Sequence, residues 1–171
     1  AMAYQGFAEG VVADGAIVRR FAATPGPLLV ASSFSKSFSL YGERVGALTV
    51  VAGDKDEAAR VLSQVKRIVR ANYSNPPSWG GQIVTAVLTS PELIELWDRE
   101  LGGMRERIKA VRADLVKRVE AKLPGRDFGY VTRQRGMFSY SGLTKEQVAR
   151  LRAEYSIYAI DSGRIWSASG A

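Results

Sequence analysis

A lone lysine, Lys36, stands between serines in the stretch SSFSKSFSLYGERVG, with an arginine, Arg44, eight positions further on. A primary amine can form a covalent bond to a carbonyl carbon, while the hydroxyls of Ser33 and Ser35 and the guanidinium of Arg44 can hold a phosphate. A lysine on an ordinary solvated face needs no such company. This one follows the apolar run LLVA, where water is about to be excluded, so it and Arg44 must each find a partner. An ion pair with Glu43 would satisfy one of them.

The rest of the composition narrows the chemistry. Neither cysteine nor histidine occurs among the 171 residues. Disulfides, thiolate nucleophiles, thiolate zinc sites and Ser-His triads are thereby excluded, the commonest metal ligand is missing, and no metal site is expected. Catalysis must rest on Lys, Tyr, Asp, Glu, Ser or Arg, or on a bound cofactor with its own electronics. The formal charge of +7 fits nucleic acid, anionic substrates or basic helix faces. In RVLSQVKRIVR and RERIKAVRADLVKR the basic residues alternate with acidic or apolar ones, without an aromatic-rich basic cluster, so solvated helix faces are expected and nucleic acid is not. No secretory leader and no apolar run of about 20 residues is present, and a cytoplasmic protein with no membrane partner is expected.

Two short apolar runs, LLVA from Leu28 and RVGALTVVAG from Arg44, read as buried strands in a sheet covered on both faces. GAIVRRFAA before them has helical spacing. Asp54 with Glu57 forms a capping box for a helix whose apolar stripe is Ala58, Val61, Leu62, Val65, Ile68 and Val69. It ends near NYSNPP, and a second helix spans Trp79 to Leu88. Ser90 and Pro91 open an unusually long helix reaching Pro124, in which Gly102 and Gly103 predict a bend or close packing. Beyond it the texture changes: short strands at GMFSYSG and SIYAI, a helix from Thr144 with Gln147 completing its capping box, and a final SGRIW.

The strand ending near Ser32 delivers Ser33, Ser35 and Lys36 to the carboxyl edge of an open α/β sheet, where such sheets bind ligands. An amine beside a phosphate anchor has the logic of a pyridoxal 5'-phosphate (PLP) site. SFSKSFSLYGERVG resembles the cofactor-lysine segment of class I aminotransferases, the aspartate and aromatic amino acid aminotransferase family. The resemblance continues in AYQGF (3–7), RANYSNPP (70–77), RGMFSYSGL (135–143) and SGR (162–164), in family order along the chain. It implies an α/β chain: part of the fold type I large domain (1–90), mostly parallel sheet with helices on both faces, an interdomain helix (91–124), and part of a smaller α+β C-terminal domain (125–171).

By the same resemblance Lys36 bonds the cofactor and moves the substrate Cα proton. Ser33, Ser35 and Arg44 contact the phosphate, and Tyr4 hydrogen-bonds the phenolic oxygen. Arg164 takes the α-carboxylate of the amino acid. Arg70, with Tyr73 and Ser74 in the same intersubunit segment, reaches into a partner subunit toward a side-chain carboxylate, and Phe138 lines the substrate pocket. A homodimeric aminotransferase is implied, exchanging an amino group between an aromatic or dicarboxylic amino acid and a 2-oxo acid. Taken singly, Arg70 reads as a solvated helix end, Tyr4 as a loop aromatic, Phe138 as a core strand residue and Arg164 as a surface charge.

Three departures stand out. Where the family has an aspartate three residues before the tyrosine of AYQGF, to pair with the pyridine nitrogen, this chain has Ala1. After SGR the tail IWSASGA diverges, and the family's N-terminal part is missing. The expectation is therefore the C-terminal portion of such an enzyme, with an inactive fragment or binding module as the alternative for the chain by itself.

Overall fold

The computed structural model describes residues 1–166, so the SASGA tail lies outside the described residues. The chain forms two compact units that meet in sequence between Leu101 and Gly102. In the first, two short helices, α1 (Val11–Asp14) and α2 (Ala16–Ala22), precede strands β1 (Leu28–Ser33) and β2 (Gly46–Val51). Helices α3 (Lys55–Asn72), α4 (Ser78–Thr89) and the start of α5 (Pro91–Lys122) follow.

The strand pairing differs from the parallel arrangement that dominates the expected, mostly parallel sheet. β1 and β2 run antiparallel, in a register from Leu28 opposite Val51 to Ser33 opposite Gly46. A parallel connection needs a crossover of about a dozen or more residues, usually a helix, whereas residues 34–45 form only turns and irregular links. They return the chain beside the strand it just left. Among the described residues parallel geometry enters as a bridge between Met2 and Ser32, fastened by Met2 N–H to the Ala31 carbonyl at 2.7 Å and Ser33 N–H to the Met2 carbonyl at 2.9 Å. Gly46 closes the ladder where a Cβ would lie 2.6 Å from the Ser32 carbonyl oxygen.

Full cover of the sheet is not found either. Leu29 is 64% and Leu48 55% exposed, and α3 contributes no fully buried residue. An apolar cleft lies between β2 (Leu48, Val50) and the α3 stripe (Ala58, Val61, Leu62, Val65). One helix and two strands supply too little area to close both faces. The α3 start is as expected in part: Asp54 accepts the Glu57 N–H at 2.7 Å, while the Glu57 carboxylate takes the N–H of Gly53 at 2.6 Å, one residue before the cap.

The second unit holds the later turns of α5, then α6 (Tyr130–Arg133), β3 (Phe138–Tyr140), α7 (Lys145–Tyr155) and β4 (Arg164–Trp166). Ile108, Val116, Val131, Met137 and Val148 form its buried apolar set. β3 and β4 are antiparallel, pairing Ser139 with Ile165 and Tyr140 with Arg164. α7 carries the full capping box of Thr144 and Gln147. α5 passes through Gly102 and Gly103 without interruption, and a Cβ on Gly103 would meet nothing within 4 Å, so close packing does not explain that glycine. SIYAI is not a strand. Its backbone is used otherwise: Ser156 adopts φ 54° to cap α7, Ile157 N–H returns to the Leu151 carbonyl and Ile160 accepts from Gly163.

Candidate functional site

Lys36 lies three residues beyond the end of β1, half-buried, in the turns that join β1 to β2. Its amine sits over two phenol rings, 5.3 Å from the centroid of Tyr4 and 5.6 Å from that of Tyr41. Both are within cation–π reach. Tyr4 is delivered there by the Met2–Ser32 bridge, which lays the N-terminal segment beside β1. Among the described residues Lys36 makes no ion pair, so neither it nor Arg44 is tied up by Glu43. The two aromatic faces flank the Lys36 amine.

Ser33 and Ser35 stay together: the Ser33 hydroxyl accepts the Ser35 N–H at 3.3 Å, and Ser35 is buried. Arg44 is exposed, adopts φ 53°, and donates from Nη1 to the Tyr41 carbonyl at 2.9 Å. A non-glycine residue in the left-handed region is uncommon and marks a constrained turn. The lysine, both serines, the arginine and Tyr4 therefore gather around one turn system at the end of β1.

The turn is held from behind by rings. Phe34 meets Phe38 edge-on at 5.4 Å, Phe38 stacks on Trp97 of α5 at 4.6 Å, and Trp97 Nε1 donates to the Ser37 carbonyl at 2.6 Å. α4 presses on the far side of the same turns, where a Cβ at Gly80 would come within 2.9 Å of Glu43 Cβ and 3.1 Å of Val45. Asp14 ties down the Tyr4 segment. Its carboxylate accepts the N–H groups of Gly6 at 2.7 Å, Glu9 at 2.9 Å and Ala8 at 3.1 Å. Partial burial works against the charge, but backbone donors from Glu9, Ala8, Gly6 and Gly10 outweigh it and hold the carboxyl below its ordinary 3.8.

Arg70 and Ser74 form their own pair at the C-terminal end of α3, Arg70 Nη1 donating to the Ser74 hydroxyl. Both are exposed, and Ser74 takes φ 71° as the chain turns toward Pro76.

In the second unit Arg164 and Phe138 meet, the Arg164 guanidinium carbon 4.7 Å from the Phe138 ring centroid. Strand alternation explains it: Phe138 and Tyr140 share one face of β3, and Arg164, opposite Tyr140, is the diagonal neighbour of Phe138. Ser139 points to the other face and is 1% exposed.

Sequence reasoning missed Tyr41, Trp97, Asp14 and Arg112. Trp97 was legible only as one apolar residue of a helical stripe, because its partner Ser37 is 60 positions away. Arg112 sits in RERIKAVRADLVKR, expected as a solvated face; Arg118 fits that reading, but Arg112 is 4% exposed. Its apolar neighbours Ile108, Val111 and Leu115 were the available signal. Among the described residues no cluster of three potential metal-ligating side chains occurs, and no helix is long and apolar enough to cross a membrane.

A family profile described as aminotransferase class I and II matches residues 2–170. The chain is 58% identical over 164 residues to an aspartate aminotransferase of Pseudomonas aeruginosa, covering 96% of this chain and 41% of that protein. It is 51% identical to an aromatic-amino-acid aminotransferase of Escherichia coli, with the same two coverages. The structure of an aromatic-amino-acid aminotransferase from Burkholderia pseudomallei covalently bound to pyridoxal phosphate superposes with a TM-score of 0.94 at 62% identity, over 97% of this chain and 42% of that one. The chain thus spans about 41% of the length of the curated relatives it matches. With a family match along nearly its whole length and the α/β arrangement of those solved enzymes, it belongs to the class I and II aminotransferases.

Proposed function

We propose that this chain is part of a PLP-dependent aminotransferase that moves an amino group between an aromatic or dicarboxylic amino acid and a 2-oxo acid by a ping-pong mechanism. The observation that carries the reading is the Lys36 amine, held over Tyr4 and Tyr41 at the carboxyl end of β1 and engaged in no ion pair among the described residues. The donor set fits the cofactor at its phosphate and phenolic oxygen, whereas Ala1 offers no carboxylate to the pyridine nitrogen. Ser33, Ser35 and Arg44 offer two hydroxyls and a five-donor guanidinium suited to a phosphate dianion, and the Tyr4 phenol suits the phenolic oxygen. PLP supplies the electron sink that makes a substrate Cα proton removable.

The protein's own groups do the rest. Lys36 would supply the amine that holds the cofactor and, as a free amine, would serve as the general base and acid that carries the proton leaving the substrate Cα. Arg164, steadied on the Phe138 ring, binds the α-carboxylate as a bidentate fork. Arg70, oriented by Ser74, meets a second carboxylate in the partner subunit's site. A homodimer follows from that reading, and with it we propose a cytoplasmic location, residues 1–90 in the large domain, 91–124 as the interdomain helix and 125–171 in a small C-terminal domain.

The test is reconstitution of the full-length protein with PLP followed by borohydride. Lys36 should become covalently labelled, and Lys36→Ala should lose both the label and transamination. Label retained at another residue in Lys36→Ala would falsify the assignment.

A second reading concerns the chain by itself. The exposed apolar faces of Leu29, Leu48, Leu62 and Ile68 favour a piece that binds the remainder of a longer enzyme and turns over nothing alone. Transamination by the isolated 171-residue chain would refute it.

A further inference from the structure

Arg112 is a cation enclosed by the segment that follows α5. Its Nε donates to the Ser139 hydroxyl at 2.7 Å, Nη1 to the Gln134 carbonyl at 2.8 Å, and Nη2 to the carbonyls of Gly136 at 2.6 Å and Phe138 at 2.8 Å. All four acceptors lie within six consecutive residues, 134–139. Burial, with a smaller contribution from the charge of Arg135, lowers its affinity for the proton, yet a guanidinium remains charged at any physiological pH. An enclosed charge is tolerable only where its hydrogen bonds are kept. The 134–139 segment is therefore held to one conformation.

That conformation matters because of what lies on its other face. Arg112 grips β3 from the Ser139 side, and alternation sends Phe138 and Tyr140 the opposite way, where Arg164 rests on the Phe138 ring. Gln134 adds a second restraint, exchanging two hydrogen bonds with the Tyr140 backbone at 2.6 and 3.0 Å. We infer that Arg112 is a positioning residue for carboxylate binding: by fixing the Phe138 carbonyl and the β3 backbone from behind, it sets the ring that orients the Arg164 guanidinium. The inference rests on the carboxylate role given to Arg164 above.

The experiment uses the full-length, PLP-loaded enzyme and 3-indolepropionic acid, a monocarboxylate with no amino group to transfer. An Arg112→Lys variant, which keeps the charge but not the fork, should bind this probe about tenfold more weakly and show a similar rise in KM for the amino acid, the size of one lost charge-assisted hydrogen bond. Cofactor occupancy and kcat should stay within about twofold of wild type, because nothing that touches the reacting atoms has changed. Ser139→Ala removes a single acceptor and should weaken the probe about threefold, so the inference remains testable if Arg112→Lys does not fold. On a Phe138→Leu background the effect of either change should shrink, since it acts through the ring.

Three results overturn it. Wild-type probe affinity in Arg112→Lys or Ser139→Ala, while Arg164→Lys loses binding, removes Arg112 and leaves the carboxylate role of Arg164 standing. Losses that are fully additive with Phe138→Leu show that the ring is not the route. Unchanged binding in Arg164→Lys refutes the carboxylate role itself, and the inference with it.

Discussion

The Lys36 turn and the β3–β4 strand pair each present a cation near the end of a short strand, but opposite chemistry supports them from behind. Behind Lys36 stand rings: Phe34 on Phe38, Phe38 on Trp97, with one N–H from Trp97 to the Ser37 carbonyl. Behind Arg164 stands one enclosed guanidinium that gathers three carbonyls and a hydroxyl. A ring support acts through area and dispersion, which decline gradually as atoms are removed. A polar support is directional, and its removal strands buried acceptors at about 1–3 kcal/mol each. The lysine turn should therefore tolerate conservative change, and the β3–β4 pair should not.

The largest effect is expected where the β3–β4 pair has least freedom. Gly163, just before Arg164, has φ 74°, its carbonyl accepts both the N–H and the hydroxyl of Ser141, and a Cβ there would lie 2.6 Å from the Leu143 carbonyl oxygen. Gly163→Ala should cost about 3 kcal/mol in denaturant unfolding of the full-length protein, combining a left-handed backbone with a clash against main chain. Gly125 separates the two causes, since its φ is 86° and a Cβ added there would meet nothing within 4 Å. Gly125→Ala should cost only about 1 kcal/mol. Equal costs at the two sites would mean that the β3–β4 pair yields after all, and the contrast with the lysine turn would be lost.

Trp97 probes the other side. Trp97→Ala removes the stacked ring and the hydrogen bond together and should cost about 2–3 kcal/mol, below the range for fully buried tryptophan because this one is only half-buried. Trp97→Phe keeps a ring against Phe38 and should recover most of that, leaving about 1 kcal/mol for the unpaired Ser37 carbonyl. Unfolding midpoints of the two variants decide it. If phenylalanine is no better than alanine, the single N–H is the support, and the two regions are held by the same means.

How much of this the sequence revealed divides along the same line. The α3 and α7 starts were legible because a cap and its partner lie three residues apart. The grouping of Ser33, Ser35, Lys36 and Arg44 was legible because one strand end and one turn contain them all. The antiparallel pairing was hidden because apolar runs carry no direction; only the short link at 34–45 distinguishes the two choices. SIYAI has a strand's composition, yet a helix cap and a turn claim its backbone. Arg112 had the spelling of a solvated residue, and its acceptors lie 22 to 27 positions away. The uncovered faces of β2 and α3 were also unreadable, since an apolar stripe states that something covers it and not whether that partner is in the same 171 residues.

Asp14 sharpens the comparison, because it is a polar support on the ring-supported side. It binds the loop that carries Tyr4 through the N–H groups of Gly6, Ala8 and Glu9, and unlike Arg112 it can be switched off by a proton. Its carboxyl is held below the ordinary 3.8 in the folded protein, so folding favours the ionised form. That stabilisation is fully present above the unfolded value and is lost as pH falls through the folded one. Asp14→Asn should therefore cost about 1–2 kcal/mol near neutrality. The gap between variant and wild type should stay constant down to about pH 5 and close progressively in more acid solution. Unfolding measured across that range gives the answer. A gap that persists at the acid end would mean that the shape of the side chain, and not its charge, holds the loop, placing Asp14 with the rings rather than with Arg112.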